Sequence, residues 1–325
     1  MKLRVVIVAL LGLALAVYLV AYTGIGAVFS AVVAVGWGGF ALLCLYALGL
    51  CIILGSAWCV LLPESSLANL RIFVWARMVR EAATDVLPFS QLGGIVLGAR
   101  AAILHGVSEP LVYASTIVDI TSEMLAQIAY VALGVLLLYL RAPPNSSAQS
   151  LIKALLIGVV CAVAAAGVFL ALQRHGHRVI EKFAARILPA ALQRTMAVST
   201  TLRSIYRSRA KVGASIVLHS IGWILSAVGV WIAFRLIGQR VELKSVFALE
   251  SLVSAIRSTA VFIPHALGAQ EAAYTVLSPF FGVGAEFGLA VSVLKRARDL
   301  ALGIPILLIW QAIEGQRARS RPAVG

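Results

Sequence analysis

Apolar stretches long enough to cross a bilayer recur along this chain, and they constrain its fold more than anything else in it. A helical span takes about 20 apolar residues, because within the bilayer each backbone N–H and C=O must find its partner inside the segment. Residues 5–22 (VVIVALLGLALAVYLVAY), 36–62, 107–140, 150–173, 212–236 and 286–313 each supply such a stretch, bounded by charge, Pro or Gly. With 61% hydrophobic residues, 12% charged and a mean hydropathy of +0.99, no soluble class fits. The expectation is an all-α polytopic integral membrane protein with about six transmembrane helices. Lys2 and Arg4 before residues 5–22 resemble the start of a secretory signal, but the apolar core is long and no A-x-A site closes it. It reads as a retained first helix.

A net charge of +14 would suggest nucleic acid in a soluble protein. In a membrane protein, basic loops orient the helices and meet anionic headgroups, so no nucleic-acid partner is expected. The basic charge concentrates in 174–211, where Arg174, Arg178, Lys182, Arg186, Arg194, Arg203, Arg207, Arg209 and Lys211 face a single acid, Glu181. Interleaved with Ile180, Phe183, Ile187 and Leu192, this segment reads as an interfacial pair of amphipathic helices on the cytoplasmic side, touching anionic lipid headgroups. Placing it inside makes helix 150–173 run inward, 107–140 outward and 36–62 inward, with the N-terminus inside. Helix 212–236 then runs outward, while Arg317, Arg319 and Arg321 call for a cytoplasmic C-terminus. Both hold only if 242–284 enters and leaves from the outer face as a re-entrant hairpin.

A matching interruption lies upstream. At an offset of 176 residues Pro88 aligns with Pro264, Gly106-Val107 with Gly282-Val283, Ala114 with Ala290 and Glu123 with Asp299; with a one-residue gap Arg80 falls opposite Arg257. Helix 107–140 runs outward and its counterpart 286–313 inward, so the repeats are inverted. Repeat one covers about 63–140 and repeat two about 242–313, within a single membrane domain. The first hairpin is placed at about 85–105, with breaks at Pro88, Gly93 and Gly94, and the second breaks at Pro264 and Gly268. Broken helices at equivalent places in inverted repeats are a pattern of secondary transporters.

Ionisable groups inside the apolar spans mark the candidate site, since each costs about 2.5–3.5 kcal/mol near the bilayer centre unless paired. Asp119, Glu123 and Gln127 recur every four residues and share one helix face. Lys295 and Asp299 do the same on the counterpart helix. With Arg80, Gln91, Arg100, Arg257, His265, Gln270 and Glu271 they form the candidate substrate path. Two readings stay open: an ion-pair lock between repeats, or a route for a polar substrate or proton. Glu271 likewise either caps the helix after the second break or meets substrate. Cys44, Cys51, Cys59 and Cys161 lack metal or disulfide spacing, and no nucleotide, nucleophile or zinc-hydrolase motif occurs. Neither a metal nor a cofactor is expected.

At LPFSQLGGIVLGARAAILHGV (87–107), TIVDITSEMLAQ (116–127) and IPHALGAQEAA (263–273) the chain resembles the transmembrane region of the lysylphosphatidylglycerol-synthase, or flippase-like, superfamily, with the nearest likeness to its hopanoid-associated branch. The resemblance implies lipid handling in a bacterial inner membrane, with hopanoid or phospholipid as ligand and hopanoid-pathway proteins or a second copy as partners. The superfamily's Pro-Gly-Gly-Leu-Gly type motif stands here as Pro264-His265-Ala266-Leu267-Gly268. Only about a dozen residues follow the last span, so no synthase domain and no enzymatic activity are expected. The implied function is translocation of a hopanoid or related polar lipid. A headgroup transferase and a scaffold for hopanoid enzymes are the alternatives.

Overall fold

The computed structural model describes residues 25–64, 66–87, 90–141, 147–187, 189–259, 266 and 268–320, with side chains undescribed at 25–32, 90, 147, 148, 150, 151, 174–195 and 317–320 as well as at Arg141. The first apolar stretch, 5–22, lies outside these residues. Among them every regular element is helical: α1 (Ile25–Cys59), α2 (Leu67–Val86), α3 (Ser90–Leu104), α4 (Glu109–Arg141), α5 (Ser147–Ile187), α6 (Pro189–Arg207), α7 (Arg209–Leu236), α8 (Leu243–Thr259), α9 (Ala269–Leu277) and α10 (Ala285–Ser320), with a 3₁₀ turn at Ser278–Phe281. Gly36, at φ 78° and ψ 152°, interrupts α1.

Four of these helices are long and apolar enough to cross a membrane: Val33–Cys59, Glu109–Leu140, Ile152–Gln173 and Arg209–Leu236. The stretch 286–313 is one continuous helix within α10, but Lys295, Arg296, Arg298 and Asp299 keep it from qualifying on apolarity alone. Large apolar side chains on the outside, among them Trp37, Leu45, Leu140, Ile157 and Val160, form the surface that acyl chains would cover. The protein is a polytopic, all-helical membrane protein.

Helix α2 differs from the spans because its buried face carries charge. Ser66 caps it by accepting from the Asn69 N–H at 3.1 Å, and the face turned inward holds Phe73, Ala76, Val79 and Ala83 together with Arg77 and Arg80. It packs along α3 as an antiparallel hairpin, so the first hairpin spans 67–104 rather than 85–105. Gly93 and Gly94 are not its break. Both lie inside α3, which begins at Ser90, and Pro88 lies outside the described residues. Gly94 serves close approach instead: a Cβ there would meet Thr84 Oγ1 and come within 2.6 Å of the Arg80 carbonyl oxygen, and one at Gly98 would lie 2.8 Å from Arg80 Cβ. In the second hairpin α8 ends at Thr259 and α9 begins at Ala269, and between them Gly268 takes φ 77° and Ala266 φ 47°.

The order helix, break, helix, glycine, long helix occurs twice. The two connecting glycines aligned by sequence, Gly106 and Gly282, both adopt positive φ, 91° and 78°, a conformation open to glycine without a Cβ clash. Each long helix also packs on the other repeat's first arm through a glycine. A Cβ at Gly134 of α4 would strike Ser251 of α8, and one at Gly303 of α10 would come 2.7 Å from Val86 Cγ2 of α2. The repeats are thereby interlocked rather than laid side by side.

Candidate functional site

Within each repeat the first arm and the long helix are joined by charged side chains that reach across a gap. In repeat one Arg77 and Arg80, one turn apart on α2, face Asp119 and Glu123, one turn apart on α4. Arg80 Nη1 donates to Asp119 Oδ2 at 2.8 Å and Nη2 to Glu123 Oε2 at 2.7 Å. Arg77 holds Glu123 through both Nη atoms, at 3.2 and 2.7 Å, and pairs with Glu81 Oε1 at 2.8 Å. Behind them His219 of α7 sets Nε2 2.9 Å from Asp119 Oδ1, both residues fully buried. Burying this many charges is tolerable only because they satisfy one another.

Repeat two reverses the polarity. Its arm carries the acid, Glu250, and its long helix the base, Lys295, whose Nζ lies 2.6 Å from Glu250 Oε1. Tyr274 of α9 donates to Glu250 Oε2 and accepts from Lys295 Nζ at 2.9 Å. Gln127 of α4 donates to Ser258 Oγ of α8 at 2.7 Å, and Arg257 approaches Asp85 Oδ1 of α2 to only 3.9 Å.

These residues surround a cavity of about 430 Å³, within the range of small-molecule sites. Its wall takes side chains from α1, α2, α3, α4, α7, α8 and α10. Of the sequence candidates it includes Arg80, Gln91, Glu123, Arg257, Lys295 and Asp299. Asp119 stands one contact behind the wall. Three candidates are elsewhere. Arg100, about half exposed on α3, pairs with Glu314. Gln270 is fully buried and donates to Ser292 Oγ at 3.0 Å. Glu271 accepts from the Gly268 N–H at 2.9 Å and from Arg296 Nε at 2.7 Å, so it closes the start of α9. His265 and Pro264 lie outside the described residues.

The cavity also holds groups that sequence reasoning did not single out: Arg77, Glu81, Asp85, His219 and Glu250. Arg77 had a usable signal, since Arg77, Arg80 and Glu81 sit at i, i+3 and i+4 and fall on one helix face with the apolar residues. Glu250 had one too, as the lone acid amid Val246, Leu249 and Leu252. His219 and Asp85 are recruited by tertiary contact. Among the described residues no group of three or more His, Cys, Asp or Glu is arranged to hold a metal ion.

A polar, charge-lined cavity thus lies inside an apolar helical bundle of membrane-spanning character. The family model for the lysylphosphatidylglycerol synthase TM region matches residues 5–306, nearly the whole chain, and the protein belongs to that family. No curated protein and no solved structure gives a match.

Proposed function

We propose that this protein moves a polar lipid, hopanoid or phospholipid, between the leaflets of a bacterial inner membrane, with both termini in the cytoplasm. The headgroup travels through the cavity between the hairpins while the hydrocarbon part stays in the bilayer. The observation that carries this reading is the cavity itself. Ionisable side chains from both repeats converge on one open volume, and several stay partly accessible, Glu81 at 36% and Arg257 at 30%. An ion-pair lock with no ligand would gain nothing from keeping such groups open. Ala266, at a φ of 47° just before the start of α9, lines the cavity, the placement expected where irregular backbone borders a polar space in a membrane.

Reconstitution into liposomes with headgroup-labelled lipid tests this. Transfer of label from the inner to the outer leaflet, faster than in protein-free vesicles and with the lipid chemically unchanged, is the expected result. A new headgroup species without transfer would replace translocation with transferase chemistry, and neither movement nor product would leave the scaffold reading.

A further inference from the structure

We infer that His219 of α7 is a proton-binding site whose proton travels with the headgroup, so that a proton gradient drives lipid movement. The inference rests on the lipid-translocating reading above and adds the coupled ion.

An atom without a partner comes first. His219 is fully buried, lines the cavity and sets Nε2 2.9 Å from Asp119 Oδ1. An ionised carboxylate only accepts, so Nε2 carries the hydrogen, and in the neutral ring Nδ1 keeps a bare lone pair. Among the described residues nothing bonds to Nδ1. A histidine that served only to steady Asp119 should have its second nitrogen satisfied, as buried polar atoms are. The counterpart cluster in repeat two is closed in that way. Glu250, Lys295 and Tyr274 satisfy one another, and Ser226 of α7 adds a bond to Glu250 at 3.3 Å.

A charge deficit surrounds this atom. Arg77 and Arg80 are paired with three carboxylates, those of Glu81, Asp119 and Glu123. With His219 neutral, the cluster is one positive charge short in a largely desolvated place, which is costly. Cations on the neighbouring elements are engaged with other groups. Lys295 and Arg298 of α10 pair with Glu250 and Asp299, and Arg257 of α8 faces Asp85 at 3.9 Å. Lys211, on α7 itself, binds the Pro63 carbonyl, and Arg203 and Arg207 of α6 are exposed. The titratable hydroxyls are bonded elsewhere as well, Tyr46 of α1 to Leu225 O and Tyr206 of α6 to Gln173. A proton on Nδ1 supplies the missing charge beside Asp119.

Imidazole is the side chain suited to gaining and losing a proton near neutral pH, and a polar cavity of about 430 Å³ has room for the water that delivers it. The proton leaves water on the acidic side, adds to the Nδ1 lone pair and returns to water on the alkaline side, and no bond of the lipid changes. While bound, it turns Nδ1 into an N–H donor that no protein group takes. That donor can serve a headgroup oxygen, of phosphate or hydroxyl, and its loss releases the headgroup. Proton and headgroup therefore favour each other's binding.

Liposomes of phosphatidylcholine holding the full-length protein test this, with the membrane potential clamped by potassium and valinomycin. The probes are traces of acyl-labelled phosphatidylglycerol, phosphatidylethanolamine and hopanoid polyol. Under a gradient of one pH unit, coupling of one proton per lipid should hold a transported probe enriched up to about tenfold in the leaflet facing the alkaline solution. His219→Gln, whose amide can still donate to Asp119 but takes no proton, should bring that ratio to one. An even distribution by the unaltered protein, or enrichment facing the acidic side, overturns the inference without recourse to any variant and leaves translocation standing. Enrichment that persists in His219→Gln overturns it too. No movement of any probe, with or without the gradient, removes the translocation reading itself.

Discussion

Replacing Arg80 with alanine should destabilise the protein by about 3 kcal/mol, the lower end of the cost of breaking a buried ion pair. The structure sets that end of the range. Arg80 is 7% exposed and bonds to Asp119 and Glu123 at once, so its loss strips both carboxylates of a partner. Glu123 keeps two bonds from Arg77, however, and Asp119 keeps His219 at 2.9 Å and Arg77 at 3.7 Å. The penalty is therefore that of weakening a network rather than orphaning a charge. Because much of it comes from Asp119 left under-compensated, adding Asp119→Asn to Arg80→Ala should restore about 1–2 kcal/mol, a coupling of the size expected for residues in contact. Equilibrium unfolding in mixed micelles with increasing denaturing detergent, followed by tryptophan fluorescence, reads both values. If Arg80→Ala lies within about 0.5 kcal/mol of the unaltered protein, or the two substitutions cost their simple sum, the buried-network account is wrong.

Glycine at the hairpin interface gives a second test. Gly94→Ala should cost about 1–3 kcal/mol by forcing α2 and α3 apart at Thr84 and the Arg80 carbonyl, read in the same unfolding assay. Glu271→Gln should lower stability by about 0.5–2 kcal/mol through the weakened start of α9, yet leave lipid movement unaltered at a temperature where the variant is folded, since Glu271 does not line the cavity. Single cysteines at Lys244 and Gly315, in a background lacking the four native thiols, should react with impermeant reagent from opposite sides of the membrane. Labelling from the same side would remove the re-entrant placement of 242–284 and with it the inverted topology.

The spans were legible because each rests on a local signal. The stretches 107–140, 150–173 and 212–236 return as helices within a few residues, and the 176-residue offset paired two glycines that share positive φ. The Asp119, Glu123, Gln127 stripe was legible for the same reason, and all three side chains find partners on other helices. What failed was the reading of α2. The hairpin expected at about 85–105, with breaks at Pro88, Gly93 and Gly94, leaves out α2, which packs along α3 as its first arm. A charged helix is stable inside the bundle only when the compensating acids arrive from α4, and no local pattern reports that pairing. Glu271 illustrates the converse. Its position three residues after Gly268 is a capping signature in the sequence alone, and the structure puts it to that use.

The central claim is that the cavity between the two hairpins is the route of the headgroup, and Arg257 tests it most directly, because it lines that cavity and stays about a third exposed, 3.9 Å from Asp85. Leaflet-to-leaflet transfer of labelled lipid should be measured in liposomes holding equal amounts of folded unaltered protein, Arg257→Ala and Glu123→Gln. The account predicts that both substitutions slow transfer by about tenfold or more, the equivalent of one charge-assisted contact. Transfer at the unaltered rate in both variants would contradict it.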